Sequence, residues 1–141
     1  MERHEIIRIL KQYRSLHVEC ERIRRRIIEK RDGMYDVQSV VMGGANVRSG
    51  DIADKVEQAV ESMNCLVEHY TSRIIEASDA ESRIAEMIDS ISDSEERAVL
   101  FMHYIEGKTF AEISEKMFLS ERTVWYRHNS AVNRLCAATP E

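Results

Sequence analysis

The apolar residues of this chain recur at helical spacing along most of its length. The first run lies between Arg3 and Arg31 and advances in alternating steps of four and three residues, through Ile6, Leu10, Tyr13, His17, Cys20 and Ile27, with Arg24 at the one step that is not apolar. A longer run with the same steps is broken only at Glu81 and passes through Ile52, Val56, Val60, Met63, Val67, Tyr70, Ile74, Ala77, Ile84, Ile88 and Ile91. This spacing predicts two long helices, each burying an apolar seam against a partner helix.

Glycines mark the expected connection between these two helices. Gly33 is expected to end the first helix, and the glycine-containing stretch from about residue 32 to 50 predicts a long loop. Ser49 or Asp51 is expected to cap the second helix. The pattern therefore predicts an antiparallel helical hairpin over residues 1–91, which could serve as an oligomerisation domain.

The last third of the chain contains cap signals for shorter helices. Ser92 and Glu95 have the spacing of a capping box and predict a helix that runs to Glu106. Gly107 is placed to end that helix in the left-handed conformation. Two more helices are expected before Ala138, which gives a three-helix domain over residues 92–138.

Those last two helices are separated by a short apolar turn. Thr109 and Glu112 form a second capping box, and Ser120 is a typical N-cap for the final helix. The final helix places one apolar side inward, formed by Val124, Ala131 and Leu135. A short helix, a tight turn and a longer helix with polar and aromatic groups outside predict a helix-turn-helix, a motif that binds duplex DNA.

The composition is typical of a helical protein, and the acidic residues are concentrated in one part of the chain. The chain has 141 residues, a single proline (Pro140) and a net charge of −5. Residues 1–31 carry ten Lys and Arg against five Glu, whereas residues 51–91 carry three basic against ten acidic residues. Residues 107–138 have five basic and three acidic residues, so the expected DNA surface is mildly basic.

Several classes of protein are not expected from this sequence. The apolar runs are too short to span a bilayer and the N-terminus is not a signal sequence, which predicts a cytoplasmic protein without membrane contact. Cys20, Cys65 and Cys136 are widely spaced and are expected to be buried, reduced thiols. No spacing suggests a metal site, a cofactor site or a catalytic centre, and enzymatic activity is not expected.

The segment SDSEERAVLFMHYIEGKTFAEISEKMFLSERTVWYRHNSAVNRL resembles region 4 of bacterial sigma factors. The landmarks of the resemblance are Arg97, Leu100, Tyr104, Gly107, Glu112, Ile113, Ser120, Val124, Ala131 and Leu135. With the upstream hairpin, the whole chain resembles phage-encoded sigma-like regulators, which include late-gene transcriptional activators. The resemblance implies a sequence-specific transcriptional regulator that binds double-stranded DNA at promoters, with RNA polymerase as a candidate partner.

The resemblance implies that the helix after Ser120 enters the major groove, with Glu121, Arg122, Trp125 and Tyr126 near bases or backbone. Thr123 and Asn129 complete the predicted contact surface on that helix. Ser120 is expected to cap the helix and hold a phosphate at its N-terminus, and Arg122 is the candidate for guanine readout. The expected phosphate partners outside this group are Lys108, Lys116, Arg127 and Arg134.

Other functions remain open at this point. A phage DNA-packaging protein similar to a small terminase subunit would also combine a helix-turn-helix with an oligomerising helical part. A sigma-mimicking protein could bind polymerase without contacting DNA, and a purely structural coiled coil would need neither. Few basic side chains on one DNA-binding module favour a homo-oligomer, most simply a dimer, in which two modules act together.

Overall fold

The computed structural model describes residues 1–43 and 49–139, with side chains for residues 1–34 and 50–139. Every regular element in these ranges is helical, which confirms the all-α fold class. The helices are α1 (Arg3–Gly43), α2 (Ser49–Asp89), α3 (Ser94–Leu100), α4 (Phe110–Met117) and α5 (Glu121–Ala138), and a π-helical turn over Phe101–Ile105 continues α3. No helix in these ranges is long and apolar enough to cross a membrane.

The expected end of the first helix at Gly33 was wrong. Helix α1 continues through Gly33 to Gly43, so most of the loop predicted over residues 32–50 is helical, and residues 44–48 lie outside the described part of the chain. One glycine costs a helix only about 1 kcal/mol relative to alanine. The space around Gly33 is open, so no neighbouring group forces the backbone to turn there.

The packing of the helices divides the chain into two compact units. The first unit consists of Met1–His17 and Glu76–Glu141, and the second consists of Val18–Ile75. The beginning of α1 and the end of α2 therefore belong to the same compact unit as α3, α4 and α5. Each unit has its own buried residues.

The larger core of the first unit joins four parts of the chain. Its buried members are Ile6 and Leu10 from α1, Ile84 and Ile88 from the end of α2 with Ile91 just after it, Leu100, Tyr104 and Ile105 around the π-helical turn, and Ala131, Val132 and Leu135 from α5. A smaller core is formed by Val99, Ile113 and Val124. The predicted inner side of α5 is confirmed, since Val124, Ala131 and Leu135 are at most 1% exposed.

In the second unit, α1 and α2 run antiparallel. Arg73 Nε lies 2.9 Å from Glu19 Oε1, and Lys30 donates a hydrogen bond to Ser62. Cys20 and Ile23 are buried in this unit, whereas Cys65 is exposed, contrary to the expectation that all three cysteines are buried. The apolar residues Val56, Val60, Val67 and Ile74, here called the α2 stripe, remain 40–46% exposed.

Helix α3 begins one residue later than its cap signal suggested. Asp93, rather than Ser92, is the N-cap, and its Oδ1 accepts hydrogen bonds from the backbone N–H groups of Glu95 and Glu96. A carboxylate can accept from two N–H groups at once and favours the positive end of the helix dipole. Those hydrogen bonds hold the pKa of Asp93 below its usual value. Gly107 has φ +74°, which confirms the predicted left-handed ending of the segment.

Candidate nucleic-acid interface

Helix α4 and the turn after it form as the sequence predicts. Thr109 Oγ1 accepts from Glu112 N at 3.2 Å, and Glu112 Oε1 accepts from Thr109 N at 3.5 Å, which completes the capping box. Phe118 ends the helix in the left-handed conformation with φ +56°. Leu119 N then donates to Ser114 O at 3.0 Å, which closes the turn.

Ser120 fixes the start of α5. Its Oγ accepts a hydrogen bond from Thr123 N at 3.1 Å and lies 2.8 Å from Thr123 Oγ1. The hydroxyl of Thr123 is thus occupied by the cap rather than directed freely outward. The cap leaves the first N–H groups of the helix at an exposed end, where the helix dipole favours an anion.

The outer face of the first two turns of α5 is exposed and combines one guanidinium with two aromatic rings. Glu121, Arg122, Trp125 and Tyr126 are all exposed, with 51% of Trp125 and 52% of Tyr126 accessible. The rings of Trp125 and Tyr126 meet edge to face, with centroids 5.2 Å apart. Both rings lie outside, where the helix-turn-helix pattern places the aromatic groups of this helix.

Tyr126 orients Arg122. Arg122 Nη2 donates to Tyr126 Oη at 3.3 Å, and its Cζ lies 5.6 Å from the centre of the tyrosine ring. A guanidinium held along an aromatic ring loses less conformational freedom when it binds a planar acceptor. The arrangement therefore presents an arginine fork with an apolar border, a combination suited to the edge of a guanine and the neighbouring methyl group or sugar.

Two predicted contact residues of α5 are engaged elsewhere. Asn129 is half-buried, and its Oδ1 accepts a hydrogen bond from Arg3, which also donates to Asn133 Oδ1 at 2.8 Å. Arg127 Nε lies 3.0 Å from Glu95 Oε2. Arg127 and Asn129 are therefore held by residues outside α5, whereas the contacts of Arg122, Trp125 and Tyr126 described above lie within that helix.

One predicted lysine, Lys116, lies in the last turn of α4, and the other, Lys108, precedes the N-cap of that helix. Lys108 Nζ is 2.8 Å from Glu106 Oε2, and this contact raises the pKa of Lys108 and lowers that of Glu106. Lys108 is a cationic neighbour of Lys116 and lowers the pKa of Lys116. The two lysines thus form one cluster rather than two separate charges.

Sequence reasoning missed other residues that shape this region. Phe118 is 94% exposed, because its left-handed backbone directs the side chain away from the core. Glu96 is only 1% exposed, and its carboxylate accepts from Ser130 Oγ at 2.7 Å and faces Arg134 Nε at 3.1 Å. The sequence alone indicates neither the exposure of Phe118 nor the burial of Glu96. An acidic residue in the first helical turn is ordinarily solvated. Within the ranges described, no group of His, Cys, Asp and Glu side chains could hold a metal ion.

The comparison with known families supports the assignment of this region. Residues 83–135 match the family model described as Sigma-70, region 4. The match begins near the end of α2 and extends to Leu135 of α5, so it contains the whole helix-turn-helix. The chain thus combines an all-α fold with a sigma region 4-like domain at its C-terminal end, which indicates a DNA-binding regulatory role. Neither a curated protein nor a solved structure matches the chain.

Proposed function

We propose that the protein is a sequence-specific transcriptional regulator, encoded by a phage or prophage, that binds promoter DNA in the cytoplasm and acts with host RNA polymerase. The observation that carries this proposal is the exposed face of Arg122, Trp125 and Tyr126 at the capped start of α5, within a segment that matches sigma region 4. In this proposal α5 is the recognition helix and enters the major groove.

The residues of this face have distinct roles. Arg122 contacts guanine O6 and N7, an interaction that contributes about 1–3 kcal/mol of discrimination. The N–H groups at the Ser120 end of the helix hold a backbone phosphate, and the aromatic rings contact a thymine methyl group or a sugar. Glu121, at the same end, can accept from a cytosine amino group.

The experiment that tests the proposal begins with selection of bound sequences from a random pool of duplex DNA. The selected duplex is then used in mobility-shift titrations over a salt series, with random duplex as competitor. Arg122→Ala should weaken binding to the selected duplex by about 10-fold, corresponding to the energy of one base contact. Arg83→Ala, which removes the same charge from an exposed position of α2, is the matched control and should have little effect on discrimination.

The outcomes separate this function from its alternatives. Absence of any shift by the wild-type protein at low salt would reject the DNA-binding regulator. Unchanged DNA affinity in Arg122→Ala, together with loss of polymerase binding, would indicate a sigma-mimicking protein instead. A large ring-like assembly in solution would favour the DNA-packaging protein.

We also propose that the regulator acts as a homodimer joined by the α2 stripe. Val56, Val60, Val67 and Ile74 recur at heptad-like spacing over about 27 Å of helix, taken as 1.5 Å per residue, yet remain exposed in the single chain. A two-fold interface places the same patch of both copies together, and an uncharged apolar patch is complementary to itself. Dimerisation would also compensate for the small number of basic groups on one module.

A further inference from the structure

Arg14 of α1 lies directly against the glycine that ends the π-helical segment. A Cβ atom at Gly107 would lie 2.5 Å from Cζ of Arg14 and 2.6 Å from its Nη2. Gly107 also has φ +74°, a conformation that side chains with a Cβ rarely adopt. The guanidinium of Arg14 therefore occupies space that a side chain at residue 107 would fill.

The charge of Arg14 has no carboxylate partner in the described part of the chain, although the side chain is half-buried. Arg73 differs in this respect, since it donates a hydrogen bond to Glu19. A guanidinium has five donors in a fixed fork, and it is most stable when a planar or tetrahedral anion accepts from it. The donors of Arg14 therefore remain available to bind an anion.

Two ammonium groups lie at the same connection. Lys108 follows Gly107 in the chain, and Lys116 of α4 reaches the side chain of Lys108. Glu106 is the carboxylate in contact with Lys108, and Glu112, which also faces that lysine, is held in the capping box of α4. Arg14 at Gly107 and the two lysines therefore lie at the same connection, and the carboxylate there, Glu106, contacts Lys108.

We propose that Arg14, Lys108 and Lys116 form a phosphate-binding cluster that contacts the DNA backbone beside the major groove entered by α5. The proposal rests on the DNA-binding function argued above. Neighbouring cations repel one another when the site is empty, and a phosphodiester between them removes that repulsion and accepts charge-assisted hydrogen bonds. Lys108 precedes the N-cap of α4, the helix that in this motif crosses the DNA backbone.

The cluster makes α1 part of the DNA-binding surface. Arg14 lies far outside residues 83–135, so the segment that matches sigma region 4 would carry only the two lysines. In this arrangement the first compact unit binds DNA as a whole, because Ile6 and Leu10 of α1 are buried in the same core as α5. Phosphate contacts add affinity and fix orientation without reading sequence.

The test measures the salt dependence of DNA binding for the full chain. Arg14→Gln should reduce the slope of log K against log salt by about one, the value expected for the loss of one phosphate contact. Lys116→Gln should give a similar reduction. Affinity for the selected duplex and for random duplex should fall by the same factor, because the lost contact carries no sequence information.

Matched variants identify the cause. Arg14→Lys keeps the positive charge and should retain most of the slope. Arg8→Gln removes the same charge from an exposed position of the same helix, six residues away and therefore about 120° around it, and should leave the slope unchanged. Circular dichroism melting of each variant shows whether the fold is kept, and Lys116 is exposed, so Lys116→Gln tests the cluster even if Arg14→Gln unfolds.

The failures of the two proposals are distinguishable. If the wild-type protein does not bind duplex DNA at low salt, the proposed function itself is rejected. If the wild type binds and both Arg14→Gln and Lys116→Gln keep its salt slope, the phosphate-binding cluster is rejected while the regulator stands. A loss confined to the selected duplex would also overturn the cluster, since it would indicate base recognition.

Discussion

The phenolic oxygen of Tyr104 lies 2.6 Å from Nε2 of His128, and this hydrogen bond joins the π-helical turn to α5 inside the core. Burial lowers the pKa of His128 to about 4 and raises the pKa of Tyr104 to about 12. His103, whose ring centre is 5.8 Å from that of His128, adds to the lowering. Both partners are therefore uncharged at neutral pH.

The first prediction concerns stability in acid. Between pH 6.5 and about 4 the unfolded chain binds a proton on His128 that the folded protein excludes, so the free energy of unfolding should fall as the pH falls through this window. The maximum loss from this group is about 3 kcal/mol. Above pH 6.5 the group contributes no pH dependence. Urea unfolding at several pH values between 7 and 4 measures the effect.

Replacing His128 separates its contribution to the pH dependence of stability from the contribution of carboxylates, which titrate over a neighbouring pH range. His128→Gln is expected to be less stable than the wild type at pH 7 but to lose less stability on acidification. Arg3 and Lys11 also disfavour the protonated ring, and both stay charged throughout the window. Equal pH dependence of wild type and His128→Gln would contradict the prediction.

The second prediction is that the beginning of α1 stabilises the helix-turn-helix. Leu10 is fully buried in the core that contains Ala131 and Leu135 of α5. Leu10→Ala should therefore lower the free energy of unfolding by about 2–5 kcal/mol, the usual cost of truncating a buried leucine. Val18→Ala, at a position that is 61% exposed, is the control and should change it little.

Urea titration followed by circular dichroism is the measurement for both variants. The dependence on Leu10 also implies that a fragment containing only residues 92–141 should not fold stably, because it lacks the α1 and α2 parts of its core. If that fragment melted with the cooperativity and midpoint of the full chain, the role of α1 in the first unit would be disproved.

How far the sequence predicts this fold depends on whether a feature is local. Capping at Thr109 and Ser120, and the inner side of α5 at Val124, follow from hydroxyl and apolar spacing within one or two turns. The end at Gly33 was wrong because a glycine only weakens a helix, and the outcome depends on the rest of the helix. Likewise, the N-cap of α3 is Asp93 and not the predicted Ser92.

The composition of the candidate site was predictable only in part, because long-range contacts decide which polar residues are free. Arg122, Trp125 and Tyr126 lie on the exposed face that helical periodicity predicts. The side chain of Asn129 is engaged instead by Arg3, 126 residues away in the sequence, which donates a hydrogen bond to it. The contact of Arg14 with Gly107 is equally long-range, and no local pattern indicates it.

The third prediction separates the two roles of Ser120. Ser120→Ala removes the hydrogen bond to Thr123 N and should destabilise the protein by about 1 kcal/mol. Ser120→Asp can still cap the helix, so stability should be close to that of the wild type. Its carboxylate would repel a phosphate at the same helix end, and DNA binding should weaken despite the retained fold.

Thermal melting and mobility-shift titration of the same two variants provide the measurements. The informative comparison is between stability and affinity: the alanine variant loses mainly stability, and the aspartate variant mainly affinity. If Ser120→Asp bound DNA as tightly as the wild type, a phosphate at the start of α5 would be ruled out.

The last prediction concerns the α2 stripe and the oligomeric state. If Val60 and Val67 meet their counterparts in a second copy, the double substitution Val60→Glu and Val67→Glu places like charges in an apolar contact and should dissociate the dimer. Both side chains are more than 40% exposed in the single chain, so the monomer should keep its helical content.

Light scattering measures the mass, and Val18→Glu is a control because Val18 is exposed outside the stripe. A monomeric wild type at the concentrations used for DNA binding would contradict the dimer. A dimer that survives the double substitution would place its interface elsewhere. Dissociation should also reduce affinity for a two-half-site duplex far more than for a single half-site, because only the former depends on two linked modules.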